Sequence, residues 1–282
     1  MIMLTTVRIR GAVYHLLLAL FAIGMLYPVL WMVSSSFRPS ADIFTAPGLW
    51  PGIVKLDNYA NGWYGIRNSN FGSFLWNSTR ISLLSVAATI VSCSMAAYAF
   101  ARIPFALKPL WFALLLLTLM LPVQVTLIPQ YTMFHAFGWI DTIWPLITPK
   151  LLATDAFFTF LIVQFIRGLP RELDESATID GCGYFGIYWR IIMPLALPAL
   201  ITTALFTFLW TWDDFFIQTI YLNSRKMFTV PLGLRLFLDS EGQSDWGAMF
   251  AMSVVSLIPC IAIFLFSQKY FVEGIATTGL KG

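Results

Sequence analysis

Charge is scarce in this sequence. Asp, Glu, Lys and Arg make up 11% of its 282 residues, against 59% hydrophobic, and so apolar a chain cannot stay dispersed in water as an ordinary soluble domain. Histidine and cysteine are scarcer still, with two and three copies. Cys93, Cys182 and Cys260 are spread along the chain without metal-ligand spacing or a plausible pairing, so they are expected to be packing residues. There is no Lys/Arg-rich run of the kind that grips nucleic acid, so the formal charge of +3 names no nucleic-acid partner. Also missing are a G-x-x-x-x-G-K-[ST] phosphate loop and any convincing nucleophile–base pair, which excludes ATP hydrolysis and covalent catalysis by this polypeptide.

What the chain has instead is long apolar runs. A helix crosses a bilayer with roughly 20 apolar residues, and charge-free stretches of that length recur: Gly11–Val33, Ile81–Ala101, Pro109–Phe134, Ile191–Trp212 and Trp246–Gln268. A less clean one, Thr142–Ile166, holds Lys150 and Asp155. The expected fold is an all-α polytopic membrane protein, one domain over residues 1–282, with spans near 11–33, 74–101, 109–130, 142–166, 194–217 and 246–268. Arg8 and Arg10 before the first run suggest a signal peptide, but the run is longer than a signal core and no small-x-small cleavage site follows, so a retained helix is expected.

Basic residues near the helix ends set the orientation. With the N-terminus inside, the inner side receives Arg8, Arg10, Arg102, Lys108, Arg167, Arg171, Arg190, Lys269 and Lys281, while the outer side receives Arg38, Lys55, Arg67, Arg225, Lys226 and Arg235. The bias favours both termini in the cytoplasm. Outside, residues 34–72 carry "APGLWPGIVKLDNYANGWYGIRNSNF", whose Pro, Gly, Asn and aromatic content suits an ordered loop at the membrane interface. A second outer segment contains "FTVPLGLRLF", where Pro231 and Gly233 are expected to break a helix into an interfacial or re-entrant turn.

The stretch "PRELDESATIDGCGYFGIYWRIIMPLALP" at 170–198 is too polar for the membrane that flanks it. Glu172, Asp174 and Glu175 put negative charge at the positive end of a helix that starts near Pro170. Leu169, Leu173 and Ala177 form a small apolar stripe, and Asp180-Gly181 stops the helix. A second helix follows with Phe185, Tyr188, Trp189 and Ile192 on one face. The spacing predicts a helix–turn–helix elbow over 169–193, between the fourth and fifth spans.

Glu175, Ser176, Ala177, Asp180, Gly181, Ile191 and Pro194 resemble the "EAA…DG…I.LP" loop of permease subunits in ATP-binding-cassette importers. Ser176 replaces the second alanine, Cys182 the alanine after the glycine, and Met193 the leucine before Pro194. The wider likeness, including "FTVPLGLRLF" and the tail "GIATTGLKG", is to the maltose-transporter-like carbohydrate branch, in which the chain is similar to the shorter of two permease partners. The resemblance implies a second permease subunit, a cytoplasmic ATPase dimer that seats the elbow and holds ATP and Mg, and an extracytoplasmic solute-binding protein. It also implies a bacterial inner-membrane location, surrounding lipid, and no cofactor on this chain. Lys281 and Gly282 match the family's tail near the ATPase, although Thr277 and Thr278 depart from its small residues.

"LWTWDDFF" is similar to the family's "WN[D/E]F" element, with Asp213 in place of Asn. Thr203, Thr207, Trp210, Asp214 and Gln218 recur every three or four residues, a polar and aromatic ridge suited to a sugar. Asp213 and Asp214 also lie about twenty residues after Pro194, so they stand either on the pathway or in the outer interface. The cargo implied is a sugar, oligosaccharide, glycoside or polyol. An anionic sugar or glycerol phosphate is the alternative raised by Arg225, Lys226 and Arg235. An ion-coupled carrier would need inverted repeats, which the sequence does not display.

Overall fold

The structure, a computed structural model, describes residues 2–45, 48–66, 69–238 and 244–279, with side chains within 13–269. Among these the chain is helical and has no strand. The helices are α1 (Ile2–Ser35), α2 (Asp57–Tyr64), α3 (Phe71–Arg102), α4 (Lys108–Thr118), α5 (Val123–Ala136), α6 (Trp144–Leu151) and α7 (Ala156–Gly168). They continue as α8 (Glu172–Ile179), α9 (Tyr184–Leu195), α10 (Leu197–Asp213), α11 (Phe216–Tyr221), α12 (Val230–Arg235) and α13 (Trp246–Gly279). Four stretches are long and apolar enough to cross a membrane: Val13–Ser35, Phe71–Arg102, Trp144–Gly168 and Trp246–Lys269. Two bent pairs, α4 with α5 and α9 with α10, raise the number to six if each pair is one span.

The chain divides into two compact units. The first comprises Met1–Phe71 and Leu234–Leu257. Here the polar segment between α1 and α3 is tied down by side chains. Asn58, buried at the start of α2, donates its amide to the carbonyls of Ser36 (2.9 Å) and Arg38 (2.8 Å). Asp245 caps α13, accepting from the Ala248 N–H at 3.1 Å and from the Ser40 hydroxyl at 3.0 Å, which satisfies donors that a helix start leaves open. Trp31, Phe44, Trp246 and Phe250 interlock, with the Trp31–Phe250 and Phe44–Trp246 rings edge to face at 5.3 and 5.0 Å.

The second unit comprises Gly72–Gly233 and Ile258–Gly282 and carries the elbow. One of its cores gathers Cys93, Ala97, Tyr98 and Ala101 of α3, Phe158, Ile162 and Ile166 of α7, Ala177 of α8, and Ile187, Tyr188 and Ile192 of α9. A second core gathers Ile81, Phe134, Leu146, Tyr221, Leu222 and Leu232.

The helices depart from the expected straight spans at three breaks. Between α4 and α5 the axis turns by 97°: Pro122 is extended, at ψ 135°, and a proline disfavours helix in the residue before it. Between α6 and α7 Ala153 takes a left-handed φ of 54° although no Gly or Pro intervenes. Between α10 and α11 Asp214 is extended, with ψ 98°. The "VPLGLR" stretch, expected to break, is instead α12. Pro231 sits in its first turn, where no N–H is needed. Gly233 lies in its middle because a Cβ there would come within 2.2 Å of the Phe74 ring.

Candidate functional site

The elbow is present and its geometry follows from its residues. α8 opens on Glu172, Asp174 and Glu175, acidic groups at the helix end whose N–H groups point outward. It closes at Gly181, whose φ is +81°. The Cys182 N–H reaches the Ala177 carbonyl at 2.9 Å and the Gly181 N–H the Thr178 carbonyl at 3.0 Å, the paired bonds of a Schellman turn. α9 then runs to Leu195 through a π-helical stretch, Tyr188–Ile192.

Two residues near the end of α3 fasten this elbow, and neither was singled out from the sequence for that role. Arg102 pairs through Nε with Asp174 Oδ2 at 3.0 Å and donates Nη2 to the Leu169 carbonyl at 2.8 Å. The Ser94 hydroxyl lies 2.8 Å from the Tyr188 hydroxyl, both buried. Ala177, Ile187, Tyr188 and Ile192 enter the core. Of the expected stripe of Leu169, Leu173 and Ala177, Ala177 enters the core and the half-buried Leu169 packs against it, while Leu173 is exposed.

The expected single face of Phe185, Tyr188, Trp189 and Ile192 is also split. Tyr188 and Ile192 are buried, whereas Phe185 and Trp189 are 71% and 61% exposed. The π turn is the reason: its wider step lets Ile187 and Ile192, five residues apart, face the same core. On the outside remain Glu175, Ser176, Asp180, Gly181 and Pro194, with Ile191 half-buried. Ile179 is 86% exposed. The elbow is thus a fastened back with an acidic and aromatic outer face. Lys281 and Gly282 lie outside the described residues.

A second feature of this unit is a trough with two adjoining parts, about 270 and 560 Å³. The parts share Val123, Gln130, Thr154, Asp155 and Trp210. Trp210 presents its indole from α10, braced by Phe158, Phe206 and Phe157 at 5.1, 5.7 and 5.8 Å. Asp214 caps α11, its Oδ1 accepting from the Ile217 N–H at 3.0 Å. Gln218 is buried and donates to the Thr211 carbonyl at 2.7 Å, while its Oε1 accepts the Thr229 hydroxyl. Of the expected ridge, Trp210, Asp214 and Gln218 line the trough. Thr203 and Thr207 do not: both are buried in packing, their hydroxyls without a hydrogen-bond partner. Asp213 is exposed and lines neither part.

The trough also receives Lys150 and Asp155. Five residues apart, they would sit badly for pairing on one straight helix. At the α6–α7 break the left-handed Ala153 interrupts the helix, and Lys150 Nζ meets Asp155 Oδ2 at 3.3 Å. Thr89 of α3 donates to the same oxygen at 3.3 Å, and Ser92 donates to the Lys150 carbonyl at 2.5 Å.

Residues 88–277 match the family model described as the binding-protein-dependent transport system inner membrane component. A probable ABC transporter permease protein, YurM, of Bacillus subtilis is 36% identical over 94% of this chain and 87% of its own length. The arabinooligosaccharides transport system permease protein AraQ of the same organism is 32% identical over 96% of this chain and 97% of its own. Among solved structures, a chain of a bacterial ABC transporter that imports the acidic polysaccharide alginate superposes with a TM-score of 0.80. It is 22% identical, with 94% of this chain and 97% of that one covered. Together with the helical membrane fold and the elbow, these likenesses settle the family: the chain belongs to the inner membrane components of binding-protein-dependent transport systems, the permease subunits of ABC transporters.

Proposed function

We propose that this chain is one of two permease subunits in an ATP-driven importer of a sugar or oligosaccharide. The cargo class is supported by relatives such as AraQ, whose name states arabinooligosaccharides. ATP and Mg are held by a separate cytoplasmic ATPase dimer, consistent with a sequence that contains no phosphate loop. A solute-binding protein delivers cargo on the outer side, and both termini are cytoplasmic.

The observation that carries the mechanism is the elbow's two-sided construction. Its inner side is fixed to α3 by the Arg102–Asp174 pair and the Ser94–Tyr188 contact. Its outer side offers Glu175, Asp180, Ile179 and Phe185 to a partner. In this reading the ATPase cleft takes Glu175, Ser176, Ala177, Asp180, Gly181, Ile191 and Pro194 as its docking element. Lys281 and Gly282 approach the same partner, and its closure on ATP moves α9 and α10 together. Nucleotide shifts the permease between inward- and outward-facing states only because it binds them unequally, and the elbow is where that difference enters the membrane. Trp210, Asp214 and Gln218 form part of this subunit's share of the pathway.

The test is uptake of a labelled panel of sugars and polyols into proteoliposomes holding both permeases, the ATPase and the binding protein. Uptake that needs both ATP and the binding protein is the expected result. Uptake driven by an ion gradient without the ATPase would sink this reading.

A further inference from the structure

Sugar cargoes can be neutral or acidic, and the charges that line the trough bear on which kind it would hold. Three ionisable side chains of opposite sign line its two parts: Lys150, Asp155 and Asp214, with no other Lys, Arg, Asp or Glu among the lining residues. Lys150 is already committed to Asp155 at 3.3 Å, and Thr89 holds that carboxylate from the other side. The second carboxylate, Asp214, makes no ion pair at contact distance among the described residues, although Lys150 lies near enough to act on it. One of its oxygens takes the Ile217 N–H, and an ionised carboxylate has further acceptor sites and no donor.

We propose that the trough touches the transported solute directly and admits neutral, polyhydroxylated rings while rejecting those that carry a carboxylate or sulfonate. This rests on the sugar-importer reading above. A hydroxyl can donate to Asp214, and the exposed face of Trp210 matches the apolar face of a sugar ring. An acidic group brings only acceptors and a like charge. At about 5 Å in a partly dry site, that repulsion corresponds to discrimination of roughly tenfold or more. The one ammonium in the trough could welcome an anion only by leaving Asp155, which would strand that carboxylate in turn. Asp214 is therefore a specificity-determining residue, and Lys150 governs how strict it is.

The experiment is direct titration of the complete transporter, purified without its binding protein, with neutral oligosaccharides from the uptake panel and the uronate of each. Wild type is expected to favour the neutral member by about tenfold or more. Asp214→Asn keeps an oxygen to cap α11, so the fold survives, and should narrow the ratio severalfold. Lys150→Gln unmasks Asp155 and should widen it. Ratios that stay the same in both variants, or a wild type that binds uronates as well as neutral sugars, would overturn the proposal. Failure of the importer reading looks different: no sugar would then enter proteoliposomes in response to ATP and the binding protein.

Discussion

Gly181 is the most informative residue to change. Its φ of +81° lies where an L side chain is strained, yet a Cβ built there meets nothing within 4 Å. Gly181→Val therefore adds no clash inside the subunit and costs only the left-handed conformation, roughly 1–2 kcal/mol. That is enough to reduce the population of the closed turn by about 5–30-fold, opening the bonds from Cys182 to Ala177 and from Gly181 to Thr178. Folding and insertion should survive, because the buried anchors at Ala177, Tyr188 and Ile192 are untouched. Uptake per ATP hydrolysed in proteoliposomes should fall several-fold, while hydrolysis by the ATPase continues. Gly181→Asn should recover part of the loss, since Asn tolerates this conformation. Gly183 supplies the control: it too has open space around it, but its φ is −79°, so Gly183→Val adds the same bulk to the elbow without the strain. Equal damage from both valines would refute the backbone argument and leave bulk against the partner as the cause. Undiminished coupling in Gly181→Val would remove the docking role of the turn altogether.

Three further outcomes are expected. Gly233→Ala drives a Cβ into the fully buried Phe74 ring and should cost about 1–3 kcal/mol, seen as a lower melting temperature in detergent, whereas an unchanged melt would mean the ring can move aside. Asn77 donates to the carbonyls of Lys226 and Phe228 at 2.7 and 2.9 Å, so Asn77→Ala should destabilise by about 1–3 kcal/mol and speed protease cleavage near residue 226. Asp141 is the pH-sensitive tie. Partial burial would raise its carboxyl, but hydrogen bonds from the Ser224 backbone and side chain and from the Asn223 backbone outweigh it and hold the group below its ordinary 3.8. A depressed carboxyl contributes stability above its unfolded value, and that stability is lost as pH falls through the folded one. Acid melting between about pH 5 and about pH 3 should therefore be shallower in Asp141→Asn than in wild type.

The helical membrane class and the elbow were legible because they depend on local signals: charge-free runs, an acidic helix start, and a glycine at the stop. The sharp turn at Pro122, between α4 and α5, was not legible, because the apolar run 109–134 continues through it and reads as one span. The break at Ala153 left no such trace. "KLLATD" contains neither Gly nor Pro, and the left-handed residue is tolerated because Ser92, Thr89 and the Lys150–Asp155 pair hold the chain on both sides. The Ser92 and Thr89 bonds come from α3, 58 and 66 residues away in sequence, which a one-dimensional pattern cannot show. The same applies to Arg102, which reads as a basic residue at a helix end until the fold brings Asp174 and Leu169 to it. Thr203 and Thr207 show the converse: helical spacing put them on the ridge, but spacing cannot tell a face that meets a cavity from one that meets another helix.

The 76° bend between α9 and α10 has a mechanical meaning. Ala196 at the corner is 1% exposed, and backbone hydrogen bonds run through it, from its N–H to Ile192 and from Leu200 to its carbonyl. The corner therefore resists opening, and the two arms turn together as a bell crank. At 1.5 Å per residue the short arm is about 18 Å long and the long arm about 25 Å. A rotation of about 10° that shifts the elbow's tip by roughly 3 Å would swing the far end of α10 by roughly 4 Å, carrying Trp210 sideways across the trough. Under the proposed mechanism, a push on the elbow would emerge as a larger, lateral stroke at the trough.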